Sequence, residues 1–325
     1  MGRQLLLLAL GASALGASAL SLEGPVARRG AALPATAVAA PTYSYYVEPD
    51  GERTLAHLEV PFRGAASRRP LVILHGLLGQ KRNFKSWAEQ LHRELSFKRR
   101  IVNLDLRGHG DSFWDDAMDY DVMASDVLAT LRALGIDDCC LLGHSMGGKV
   151  AMTCALREPD TVRELCVLDI APTAYSTTDG SNWKQNDELI AALHALPLAA
   201  VRDRRHADDA LAEKGVSDPN LRAFALANLD EGPNGFEWKF DLDAVVRNLD
   251  RLTAWPPNYA VFPGDALFLK GAKSKYVRSV HLPVISKNFP SFTLQTVKDC
   301  GHWLHAENPT ETIANIVAYL DRDGP

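Results

Sequence analysis

The sequence predicts an α/β fold: a mostly parallel central sheet with helices on both faces and a helical lid inserted before the penultimate strand. Three observations predict it. Short apolar runs alternate with amphipathic stretches from Leu71 to Ile170, as in parallel strands joined by helical crossovers. Over residues 171–257 that alternation breaks; Trp183, Phe224, Trp238 and Trp255 stand in helical pieces with no clear strand. Strand and helix signals then resume to the end. The chain has 325 residues, 46% apolar and 23% charged, which excludes disorder, a collagen-like repeat and a disulfide-knotted miniprotein. With 23 Gly and 18 Pro it suits a loop-rich enzyme better than a helical bundle. A formal charge of −5 leaves no bulk basic field for nucleic acid.

The elements follow in order. Leu71 to Leu74 is a buried strand entering a Gly loop, His75-Gly76-Leu77-Leu78-Gly79. Phe84, Trp87, Leu91 and Leu95 recur at helical spacing, and Ile101 to Leu104 is a second strand. After it comes Asp105-Leu106-Arg107-Gly108-His109-Gly110-Asp111-Ser112. Met123, Val127, Leu131 and Leu134 mark a helix that stops at Gly135. Cys139 to Leu142 is a third strand, Ser145 to Arg157 a helix ended by Pro159, and Leu165 to Ile170 a fourth strand. Beyond the insertion, strands are expected at Leu267 to Leu269 and Phe292 to Val297. The last helix starts at Asn308-Pro309-Thr310-Glu311, with Pro at the first helical position, and buries Ile313, Ile316, Val317 and Leu320.

Residues 1–41 differ from the rest. Arg3 precedes an uncharged run, Leu5 to Leu20, with Ala17-Ser18-Ala19 fitting the small-x-small rule of signal peptidase. The run of about 16 residues is short against the roughly 20 of a membrane span. Ser21 to Pro41 is Ala-rich, with Arg28 and Arg29 and only Glu23 acidic, like a transit peptide. We therefore expect a cleavable presequence over 1–41 and one domain over 42–325, with its lid at about 171–257. A signal-like start points to a plastid or secretory route; a mitochondrial presequence is the alternative. No membrane span is expected in the mature form.

The chemistry centres on Gly143-His144-Ser145-Met146-Gly147, a G-x-S-x-G between an apolar strand and a helix. Such a turn strains the serine backbone and lifts its hydroxyl above the sheet, and a Cβ at either glycine would collide with it. The helix N-terminus behind Ser145 favours a developing oxyanion. Gly143 to Lys149 also reads as the start of a phosphate-binding loop, but position 150 is valine, so the Mg²⁺-holding hydroxyl is missing. Lys149 reads as a solvated helix residue. Serine needs a base, and among ten histidines His302 lies between the last strand and the last helix, where it can fold back over the serine; His305 could replace it. His75 and His109 sit in Gly loops and position backbone, and His144 packs. The oxyanion donors are the N–H of Met146 and the N–H of Leu77. The loop after Leu269, Lys270 to Lys275, has no carboxylate. The acid is therefore sought in Asp169, at the carboxyl end of the fourth strand, where a charge needs a partner. Asp243 is the alternative acid, with Asp265 behind it. Five Cys without a C-x-x-C pair give no metal or redox signal, and no metal or cofactor is expected. Cys139, Cys140, Cys154 and Cys166 read as small core residues.

These motifs, from Pro70 to Leu320, resemble the α/β-hydrolase superfamily, and within it the branch of small bacterial esterases and mitochondrial abhydrolase-domain proteins. Placing the acid on the strand before the lid is a trait of that branch; in some members the acid is placed in the lid, at the position matching Asp243. The resemblance implies a monomeric or weakly dimeric serine esterase acting on a small-molecule acyl ester, with reach to acyl thioesters or lipid esters. Epoxide hydrolases and haloalkane dehalogenases share the fold but use a carboxylate nucleophile, so Ser145 argues against both. The alternatives are an acyltransferase or lyase on the same site, and a ligand-binding receptor or scaffold of this fold.

Overall fold

The computed structural model describes residues 53–62, 66–233, 235–256 and 260–322; the expected presequence lies outside them. The first half runs β1 (His57–Glu59), β2 (Leu71–Leu74), α1 (Lys85–Glu94), β3 (Ile101–Leu104), α2 (Tyr120–Ala133), β4 (Cys139–His144), α3 (Met146–Arg157) and β5 (Val162–Leu168). The insertion holds α4 (Trp183–His194), α5 (Arg204–Glu213), α6 (Pro219–Leu226), β6 (Leu229–Gly232), β7 (Gly235–Trp238), α7 (Leu242–Arg247) and α8 (Leu249–Thr253). Then come β8 (Asp265–Gly271), α9 (Leu282–Asn288), β9 (Phe292–Val297), α10 (Leu304–Glu307) and α11 (Pro309–Leu320).

Seven strands form one sheet in the order β1-β3-β2-β4-β5-β8-β9, parallel throughout except for β1, which pairs antiparallel with β3. The two-residue period of each strand divides the core. Leu141, Val167 and Phe268 face α2, α3 and the insertion, packing with Met123, Val127 and Val150. Leu142, Cys166 and Leu267 face α1 and α11, packing with Trp87, Leu91 and Ile316. Both faces are covered, which is why these strands read as continuous apolar runs. The chain leaves β2 toward β3 and returns to β4 on the other side of β2. That reversal opens a crevice at the carboxyl ends of β2, β4 and β5.

The helix ends follow their cap residues. The Asp119 carboxylate accepts the N–H groups of Asp121 and Val122 at 3.1 and 3.0 Å to start α2. At α11, Asn308 Oδ1 accepts the Glu311 N–H at 3.2 Å, and Pro309 takes the first helical position, as the sequence suggests. All five cysteines are buried free thiols. No helix among the described residues is long and apolar enough to cross a membrane.

Three details differ from the sequence reading. The edge strand β1 was not foreseen, because three residues of mixed polarity carry too little periodicity. The insertion is not wholly helical: β6 and β7 form an antiparallel hairpin, Leu229 opposite Trp238. Its sequence signal was the Pro-Asn-Gly run at 233–235. The strand expected at Leu165–Ile170 runs Val162–Leu168, so Asp169 stands just past its end.

Candidate active site

Ser145 sits between β4 and α3 with φ 52° and ψ −117°, outside the regions an L-residue ordinarily adopts. The turn is held by Ser145 N–H donating to the Leu168 carbonyl at 3.0 Å. The flanking glycines are there for space. A Cβ on Gly143 would strike the Gly147 carbonyl, and a Cβ on Gly147 would strike the carbonyls of Leu74 and His75. Backbone cannot give way as a side chain can. Gly147→Ala is therefore expected to destabilise the fold by about 3 kcal/mol, read as a lower urea midpoint; an unchanged midpoint would contradict the close packing of α3 on β2.

The loop between β9 and α10 brings His302 over this turn. His302 Nε2 lies 2.9 Å from Ser145 Oγ, and His302 Nδ1 lies 2.8 Å from Asp169 Oδ2. Asp169 is fully buried, at φ 53°. Such a carboxylate needs donors, and it has three. Gly271 N–H donates to Oδ1 at 3.0 Å, and Oδ2 accepts the Ser274 hydroxyl and His302 Nδ1–H. The last residue of β8, Gly271, and Ser274 in the loop after it thus each supply a donor to the carboxylate that stands just past β5; sequence reasoning missed both Ser274 and Gly271. Asp243 is not part of this cluster. It lies on α7 with its side chain 70% exposed, 3.3 Å from His194 Nε2. Asp265 pairs with Arg322 at the other end of β8.

Four further histidines surround the site, each set by burial. His144 Nε2 donates to the His302 carbonyl at 2.9 Å, and its ring lies 4.7 Å from that of His302. His305 stacks on Phe84 with centroids 4.2 Å apart. It does not reach Ser145, so the structure does not put it in the place of His302. Burial pulls His144 well below the usual imidazole range and His305 down to about 3, so both stay neutral beside His302. Burial likewise lowers His75 to about 4 and His109 to about 3. Neutral rings suit their bonds. His75 accepts Leu106 N–H at 3.0 Å through Nε2 and donates through Nδ1 to the Gly76 carbonyl at 2.8 Å. His109 accepts Leu78 N–H at 3.2 Å and donates to the Arg107 carbonyl at 2.9 Å. Both histidines thereby pin the loop carrying Leu77, as expected from their place in Gly loops. Lys81, buried with Asp105 and 2.6 Å from Asp111 Oδ2, ties the same loop to the one after β3. Met146 is the first residue of α3, so its N–H has no acceptor within the helix.

Two narrow chambers, each of about 20 Å³, flank Ser145, roughly the room of one water. One, with Leu77, Ile190 and Phe224, leads outward. The other is lined by Tyr120, Tyr175, Tyr276 and Lys149. Lys149 corrects the sequence reading: it is not solvated but 1% exposed. Its Nζ donates to the Thr253 and Ala254 carbonyls at 3.1 and 2.8 Å and lies 5.1 and 5.0 Å from the rings of Tyr120 and Tyr175. It thus anchors the end of the lid to the core. Periodicity placed Lys149 on a helix without showing that both sides of that helix are covered.

Burial pulls the Lys149 ammonium down to about 7. In the unfolded chain an ordinary lysine titrates near 10.4. Between those values the unfolded state holds a proton that the folded state lacks, so this group's contribution to stability rises with pH. We expect the melting temperature of the native chain minus that of Lys149→Met to increase from pH 6.5 to pH 9.5. A flat difference would contradict a depressed ammonium.

With this geometry in place, comparison with known proteins is decisive about family. The model of the alpha/beta hydrolase family matches residues 71–316. The chain belongs to the alpha/beta hydrolase family. Among its relatives is the sn-1-specific diacylglycerol lipase ABHD11 of Danio rerio, 36% identical over 260 residues, 80% of each chain. A probable alcohol acetyltransferase of Saccharomyces cerevisiae is 32% identical over 280 residues, 78% of each chain. Among solved structures, a marine microorganism esterase superposes with a TM-score of 0.76 at 32% identity, covering 82% of this chain and 99% of that one. The expected resemblance to the abhydrolase-domain and small-esterase branch therefore holds, with the family match running from β2 into α11.

Proposed function

We propose that this alpha/beta hydrolase cleaves carboxylic esters through an acyl-enzyme on Ser145. The observation that carries the reading is the unbroken line from Ser145 Oγ to His302 Nε2 at 2.9 Å and from His302 Nδ1 to Asp169 Oδ2 at 2.8 Å. His302 takes the Oγ proton as oxygen attacks the acyl carbonyl and returns it to the departing alcohol. Water then repeats the sequence, releasing the acid and restoring the serine. Asp169 keeps the proton of neutral His302 on Nδ1, leaving Nε2 free to accept. The N–H groups of Leu77 and Met146 stabilise the tetrahedral oxyanion, one from the loop after β2 and one from the start of α3. The esterase and lipase names of the relatives agree with a small acyl ester or lipid ester as substrate.

The test is covalent labelling. A fluorophosphonate should add to one residue, and peptide mass mapping should place it on Ser145 with loss of turnover. Labelling elsewhere, or none in an active preparation, would end this assignment. The yeast relative's name favours one second reading: an alcohol in place of water as acyl acceptor. Adding ethanol to a p-nitrophenyl acetate assay and measuring ethyl acetate against acetate separates the two.

A further inference from the structure

The outward chamber beside Ser145 shares Phe224 and Trp303 with a larger groove of about 750 Å³. Their rings stand 5.7 Å apart, at the junction between the two spaces. What an ester places beyond that junction must lie in the groove. Its lining describes that part. It carries three carboxylates, Asp218, Asp299 and Glu307, and no lysine or arginine among the described residues. The Glu307 carboxylate accepts the N–H groups of Gly301 and Trp303, and Asp218 caps α6, so two of the three are fixed in place.

We infer that this groove takes the leaving-group half of the substrate and selects by charge, accepting an uncharged alcohol or thiol and disfavouring a polyanionic one. Like charges along one concave wall raise the cost of bringing phosphates to it, and the cost falls as salt screens them. A thioester of coenzyme A is thereby disfavoured relative to a neutral thioester of the same acyl group. This rests on the Ser145 reading above.

The experiment separates charge from thioester chemistry. Butyryl-coenzyme A and the butyryl thioester of N-acetylcysteamine share an acyl group and a thiol end but differ in phosphates. On the full chain at about 10 mM salt we expect kcat/KM for the coenzyme A thioester to be on the order of tenfold below the neutral one or lower, with the gap closing near 0.5 M. The double reversal Asp218→Lys with Asp299→Lys should raise the ratio of coenzyme A to neutral thioester by about tenfold at low salt. Glu307 is left alone because it holds the backbone beside His302. Equal rates in the native chain, a ratio indifferent to the reversal, or no turnover of the neutral thioester by a preparation that cleaves p-nitrophenyl butyrate would each overturn the inference. Failure of Ser145→Ala to abolish p-nitrophenyl butyrate cleavage would instead strike the nucleophile assignment, so the two failures are distinguishable.

Discussion

Ser145→Ala is expected to lower kcat on p-nitrophenyl esters by on the order of 10⁶-fold, across acyl chains from acetate to palmitate. The size follows from the loss of the covalent path itself. Without Oγ, water must attack unaided, and only the oxyanion donors and binding remain. The change should leave the fold alone. Ser145 Oγ has His302 Nε2 as its partner, and alanine meets the same φ of 52° that serine already tolerates. The melting temperature should therefore move by little. Retained turnover at an unchanged melting temperature would remove Ser145 from the chemistry.

Asp169→Asn is expected to cost about 10⁴-fold in kcat, through the proton rather than the shape. Asp169 only accepts: from Gly271 N–H, Ser274 Oγ–H and His302 Nδ1–H. In an asparagine whose oxygen stays with Gly271, the amide NH₂ faces Ser274 and His302. His302 must then present Nδ1 as an acceptor and carry its proton on Nε2, toward Ser145. That tautomer cannot take the Ser145 proton. Asp243→Asn is the matched control. Its side chain is 70% exposed beside His194, so a change of charge there is expected to leave kcat within a factor of two or so. Loss of activity in Asp243→Asn with retention in Asp169→Asn would reverse the assignment, and with it the description of the site at the end of β5.

Ser145 was legible because its surroundings are local. A strand, a turn and a helix adjoin in sequence, and the two glycines are required by carbonyls a few residues away or on the neighbouring strand. Asp169 could be singled out as a candidate for a related reason: a carboxylate at the end of an apolar strand is expensive without a partner. His302 could be named from its place between the last strand and the last helix. Lys149 could not. Its spacing from Ser145 says which turn of α3 it occupies, but α8 and two tyrosines from distant segments make that position a buried one.

The amino-acid sequence by itself determined the alternation of strand and helix, the two-faced sheet, the position of the insertion and the strained serine turn. Each depends on short-range periodicity, caps and glycine sterics, which neighbouring residues decide among themselves. Only the tertiary structure decided which carboxylate faces His302, that Ser274 and Gly271 serve it from another strand, that Lys149 is buried, and that the groove beyond Phe224 and Trp303 is lined by carboxylates. The hydrogen bonds among them join residues 102 to 133 positions apart, set by strand order and by how the lid packs back on the sheet. Neither quantity leaves a periodic trace in the chain, because burial and charge balance at such points are properties of the assembled surface.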